Sequence, residues 1–129
     1  AAGNESSNND RSPKYPASFN NDNLLVVAAT SSWFGSLASF SNYGQRTVDI
    51  AAPGSGIYST VRGNRYSNMS GTSMASPNMA GLAAEVLSRN PELGPIALKE
   101  LIMSNVTKLS KFSTKMVSGG LANLKGALE

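Results

Sequence analysis

The sequence predicts an α/β fold, a mainly parallel sheet with packed helices, on three observations. Leu24-Leu25-Val26-Val27-Ala28-Ala29 is a short, continuous apolar run, the pattern of a strand covered on both faces in a parallel sheet. Val48-Asp49-Ile50-Ala51-Ala52 reads as a second strand, stopped by Pro53-Gly54. From Met74 to Leu87, the residues Met79, Ala80, Leu82, Ala83, Val86 and Leu87 recur at helical spacing. That helix is expected to be central and the most buried of the fold.

The remaining elements follow in chain order. Ala1-Ala2-Gly3-Asn4-Glu5 reads as a strand end entering a loop, with a polar tract from Ser6 to Ser12 behind it; taken alone, Asn4 is a turn residue. Pro13 to Ser18 is too proline-rich for regular structure. Trp33 and Phe34 read either as loop side chains packed on the body or as an exposed binding pair. Ala38 to Gly44 is turn-rich, and Asp49 is expected to face solvent from an alternating strand. Ile57 to Val61 and Tyr66 to Met69 are short strands, the second delivering the chain to Gly71. Asn90-Pro91 ends the long helix, and Gly94-Pro95 starts another with Ile96, Leu98, Leu101 and Ile102 as its apolar stripe. Asn105 to Ser118 is expected to be a loop or hairpin, and Leu121, Leu124 and Leu128 suggest a closing helix. No repeat, low-complexity tract or linker divides the chain.

Composition narrows the chemistry. A chain of 129 residues suits one domain, and its net charge of +3 is scattered without a basic stripe, which favours solvated surface over nucleic-acid binding. There is no apolar run long enough to cross a bilayer, and the start lacks the charged and apolar regions of a signal peptide. The absence of cysteine excludes disulfides and cysteine catalysis. Histidine is absent too. A serine hydroxyl is a poor nucleophile until a base takes its proton, and histidine is the usual base.

Gly71-Thr72-Ser73-Met74-Ala75-Ser76-Pro77 places a hydroxyl where a loop gives way to the helix. Backbone N–H groups there have no partner within the helix, and its dipole favours negative charge beside them. A nucleophilic oxygen next to such donors is what acyl transfer needs. The competing reading makes Thr72 or Ser73 an N-cap only. Pro77 should kink the helix or delay its start, and Met74, if exposed, would be open to oxidation.

The seven-residue string resembles the serine motif of the subtilisin-like proteases (subtilases, peptidase S8 type). Ala-Ala-Gly-Asn at the start is similar to the family's oxyanion segment, and Pro-Ala-Ser followed by Leu-Leu-Val-Val-Ala-Ala-Thr is similar to another of its passages. The likeness implies that Ser73 is the nucleophile and that Asn4 shares the oxyanion with the Ser73 N–H. It also implies that Gly3 and Glu5 wall the pocket for the side chain before the scissile bond, with Met69, Ser70 and Gly71 bordering the other side. Ser31 and Ser32 depart from a common aspartate, and Asn78 stands where relatives often carry a histidine outside the triad.

In the family, the catalytic aspartate and histidine precede the oxyanion asparagine. Residues 1–129 are therefore expected to be the C-terminal portion of a catalytic domain, inert alone and completed by an N-terminal half bearing those two residues. Protein or peptide substrates, a propeptide partner and an extracytoplasmic location are likewise implied. No cofactor is needed for the chemistry, and structural calcium is implied by the family although no acidic cluster has ligand spacing. A partial sheet is expected to leave an edge open to pairing with another chain. Glu5 at the pocket rim is expected to make basic substrate side chains tolerable there, since an opposite charge offsets their desolvation. Asn4, Asn68 and Asn105 each begin an Asn-x-Ser/Thr triplet, and Asn4 is expected to stay unglycosylated because a sugar would remove its amide donor. One rival reading is a catalytically inactive subtilase-like fragment serving as a binding or structural module. A serine-carboxylate peptidase with an acidic base fits less well, because related enzymes place aspartate where this chain has Asn4.

Overall fold

Strand β1 (Val27–Thr30) and strand β2 (Ile50–Pro53) run parallel in the register Val27 to Ile50 and Ala29 to Ala52, forming the centre of the fold. The computed structural model describes residues 1–31 and 35–129; Ser32, Trp33 and Phe34, and the expectations attached to them, lie outside the described residues. Beyond β2 the sheet continues with β6 (Gly120–Leu121), parallel to β2, and β5 (Thr107–Lys108), antiparallel to β6, in the order β1-β2-β6-β5. A separate antiparallel hairpin joins β3 (Ile57–Val61) to β4 (Arg65–Met69). The architecture is α/β with a mainly parallel main sheet.

Both faces of β1 and β2 are covered, because side chains alternate between two apolar clusters. Val27, Ala29, Ile50 and Ala52 pack with Ala75 and Met79 of α1 (Thr72–Arg89) and Ile102 of α2 (Pro95–Ser104). Val26, Ala28 and Ala51 face the other way, onto Phe112 and Met116 with Ala2 and Ala17. Ser110–Phe112 forms a 3-10 turn, and α3 (Leu124–Leu128) closes the chain.

Several expectations are corrected. Asp49 is buried, because its strand is covered on both sides; one carboxylate oxygen accepts the Val26 N–H at 2.7 Å and the other lies 3.2 Å from Lys99 Nζ. The closing helix begins only at Leu124, since Leu121 is taken into β6. Pro77 does not delay α1, which is already helical from Thr72; having no N–H, it leaves the Ser73 carbonyl without its intrahelical donor. Within this chain, α1 is buried along one face only, through Thr72, Ala75, Met79 and Val86. Ala80, Gly81, Ala84 and Leu87 are exposed. The outer side of β1 is partly occupied, since Ala2 N–H donates to Val27 O and Ala38 N–H to Ala29 O, each at 2.9 Å. Among the described residues no helix is long and apolar enough to cross a membrane.

The strands place the head of α1. Gly54 follows β2, and a Cβ there would lie 2.6 Å from Ala29 Cβ and 2.8 Å from Gly71 O, so only glycine permits this approach. Gly54 N–H donates to Thr30 O at 3.1 Å, and Gly71 N–H to Gly54 O at 2.8 Å. The N-terminus of α1 is thereby fixed at the carboxyl ends of two parallel strands, the usual location of sites in open α/β sheets.

Candidate active site

Gly71 is the N-cap of α1 and has no side chain to offer. The first turn is satisfied otherwise. Met74 N–H reaches Gly71 O at 3.0 Å, and Thr72 N–H donates at 2.8 Å to Asn4 Oδ1, which comes from a loop 68 residues earlier. The Thr72 hydroxyl donates to the same oxygen at 2.9 Å and accepts the Gly3 N–H at 3.2 Å. Thr72 and Ser73 are thus the first two residues of the helix, and the cap is the distant Asn4.

This wiring decides which way the Asn4 amide points. An N–H and a hydroxyl converging on one carboxamide atom identify it as the oxygen, so the NH₂ group faces away from the helix backbone. No described residue accepts from Nδ2, and none accepts from the Ser73 N–H. Both nitrogens lie 3.6 Å from one point, the position that a Cβ on Gly71 would occupy, and Met74 Sδ lies 3.6 Å from it as well. Two free donors therefore border one small space at the positive end of the helix. The structure places Asn4 and Ser73 beside each other at the head of α1.

Ser73 is exposed and lines a cleft of about 420 Å³ between α1 and the hairpin, with Met74, Pro77 and Asn78 on one side and Ile57, Tyr58 and Met69 on the other. Ser70 follows the hairpin and does not line this cleft; its hydroxyl accepts the Gly56 N–H at 2.8 Å. Gly3 and Glu5 flank Asn4, but the Glu5 carboxylate is engaged. Its Oε2 accepts from Asn42 Nδ2 at 2.7 Å, and its Oε1 is 3.8 Å from Lys14 Nζ. Among the described residues no cluster of histidine, cysteine, aspartate or glutamate could hold a metal ion.

Sequence reasoning missed Thr72 and Asn42. Thr72 looked like a capping hydroxyl of the ordinary local kind, and Asn42 sat within a turn-rich passage; neither carries a signal of its long-range partners.

A free hydroxyl, a backbone donor and an amide donor are gathered at one helix N-terminus, the kind of arrangement that acyl transfer can use. Comparison with known proteins places the chain in a family. The profile of the Subtilase family (Peptidase S8) matches residues 1–126, and the chain belongs to that family. It is 41% identical over 132 residues to Subtilisin-like protease 2 of Plasmodium falciparum, covering 99% of this chain and 10% of that protein. With Subtilisin BL of Lederbergia lenta, identity is 38% over 113 residues, covering 88% of this chain and 40% of the relative. A solved protease structure from Pseudoalteromonas arctica superimposes with a TM-score of 0.82 at 28% identity, covering 98% of this chain and 40% of that one. A structure from the assembly of the subtilase cytotoxin shares the fold with a TM-score of 0.85 at 24% identity, covering 98% and 46%. The chain spans less than half the length of each of these relatives, from 10% to 46%.

Proposed function

We propose that this chain supplies the nucleophile and oxyanion site of a subtilisin-type serine endopeptidase. The observation supporting this reading is that two unpartnered nitrogen donors at the head of α1, Ser73 N–H and Asn4 Nδ2, border the same space beside the exposed Ser73 hydroxyl. Ser73 Oγ attacks the scissile carbonyl, and the two donors hold the oxygen as it takes up negative charge. Collapse expels the amine and leaves an acyl-enzyme on Ser73, which water hydrolyses. The proton leaving Ser73 and reaching the amine requires a base that this chain, lacking histidine, does not contain. An upstream aspartate and histidine in the N-terminal half of the domain provide it, in keeping with the share of its relatives that the chain spans.

Substrates are proteins or peptides, running past Ser70 and Gly71 on one side and Gly3 and Glu5 on the other. Glu5 shares its charge with Lys14 and Asn42, so its pull on a basic substrate side chain is weaker than an isolated carboxylate would exert. A propeptide partner and an extracytoplasmic location fit the same reading, and any bound calcium would serve structure. The competing reading, an inert binding module, draws on the absence of histidine. Hydrolysis of casein by the full-length protein separates the two: hydrolysis abolished by Ser73→Ala supports the protease, and hydrolysis indifferent to that change, or absent from well-folded protein, rejects it.

A further inference from the structure

The Asn4 amide can act only if its loop is held, and Thr72 reaches only its oxygen and the neighbouring Gly3 N–H. The backbone on either side of Asn4 is held by a different residue. Asn42 is fully buried, and its Oδ1 accepts the N–H groups of Glu5 at 2.8 Å and Ser7 at 3.0 Å. Its Nδ2 shares two hydrogens among Glu5 Oε2 at 2.7 Å, Asn9 Oδ1 at 3.0 Å and Ala2 O at 3.3 Å. Its own N–H donates to Gly3 O at 2.9 Å. Gly3 sits at φ +117°, and a Cβ there would lie 2.4 Å from Asn42 Nδ2, so the two segments are in closest contact immediately before Asn4. Asn42 therefore grips Ala2, Gly3, Glu5 and Ser7 without bonding to Asn4 itself.

Resting on the protease reading, we propose that Asn42 is a positioning residue for the Asn4 amide, setting where Nδ2 meets the developing oxyanion. The position calls for a carboxamide, since one oxygen must accept two N–H groups while a nitrogen on the same carbon donates. Aspartate keeps the acceptor and loses the donors, and it sets a second negative charge against Glu5. A displacement of about 1 Å in a catalytic group can cost on the order of 10²-fold in rate, so the scaffold of the loop is part of the mechanism.

The test is a double-mutant cycle in the full-length protein. Asn42→Asp and Asn42→Ser are each made in the wild type and in Asn4→Ala, with thermal melts confirming folding. In the wild type, kcat is expected to fall by roughly 10-fold to 10²-fold with KM little changed; in the Asn4→Ala background, the same substitutions should change kcat by no more than about twofold. An equal loss in both backgrounds, or none in the wild type, overturns the proposal. If neither Asn42 variant folds, Asn9→Ser, which removes the carboxamide that accepts from Asn42 Nδ2 and donates to Ala2 O and leaves Asn42 in place, carries the same cycle. An NMR order parameter for the Asn4 side-chain amide gives a readout independent of turnover. It should fall in Asn42→Ser or Asn9→Ser, and an unchanged value also overturns the proposal. Unaltered kcat in Asn4→Ala would instead reject the oxyanion assignment.

Discussion

Asn4 and Thr72 are joined twice through a single atom, Asn4 Oδ1, which receives both the backbone N–H and the hydroxyl of Thr72. The double bond orients the carboxamide, because its acceptor end is spent on the helix and its donor end is left facing the space beside Ser73. A loop at the start of the chain and a helix in its second half are thereby made into one site.

Replacing Asn4 with alanine should lower kcat in the full-length protein and leave KM nearly unchanged, since the donor is used when charge develops. The expected loss is roughly 10²–10³-fold, the magnitude found for the same kind of donor in a subtilisin. Steady-state kinetics on a peptide substrate make the check, and a rise in KM at constant kcat would count against the role.

Thr72→Val should act in the same direction but less strongly. It removes the hydroxyl bonds to Asn4 and Gly3 and keeps the backbone one. The loss of a neutral hydrogen bond, about 1 kcal/mol, corresponds to a several-fold fall in kcat. Combined with Asn4→Ala, the second substitution should add little, as expected for residues acting through one another.

Asp49→Ala should cost about 3 kcal/mol of stability, because it strands the Val26 N–H and leaves Lys99 without its carboxylate in a largely enclosed place. Urea unfolding of the full-length protein reads this as a lower midpoint at unchanged slope. A change below about 0.5 kcal/mol, typical of surface sites, would mean that the pair is solvated.

Asp10 should give the fold an acid-sensitive contribution. Burial raises its carboxyl pKa, but the Thr47 hydroxyl, the Arg46 and Thr47 N–H groups and the Arg46 charge together outweigh it, holding the group below its ordinary 3.8. A carboxylate depressed in the folded state stabilises above its unfolded value, and that contribution is lost as pH falls through the lower folded one. Asp10→Asn should therefore lower Tm most at about pH 6, with the difference from wild type closing below about pH 3. A constant difference across that range would place the effect elsewhere.

How much of this the sequence disclosed depended on the range of the interaction. The starts of β3 and α2 were legible because local signals mark them: turn residues before Ile57, and Gly94-Pro95 at the helix head. Ser73 is singled out by the long motif around it, and the structure places it at the second position of α1. Asp49 was misjudged, since the cover on its far side comes from Lys99 on a distant helix, and α3 was drawn too long because pairing of Leu121 with Ala51 outweighed its leucine spacing. Asn42 carried no local signal, as its partners lie more than thirty residues earlier.

The most direct measurement is mapping of a fluorophosphonate adduct by peptide mass analysis on the full-length protein and on residues 1–129 alone. The account predicts an adduct on Ser73 in the full-length protein, its disappearance in Ser73→Ala, and no labelling of the isolated chain, which lacks the base. An adduct on another serine, or an unlabelled Ser73 in folded full-length protein, would contradict it.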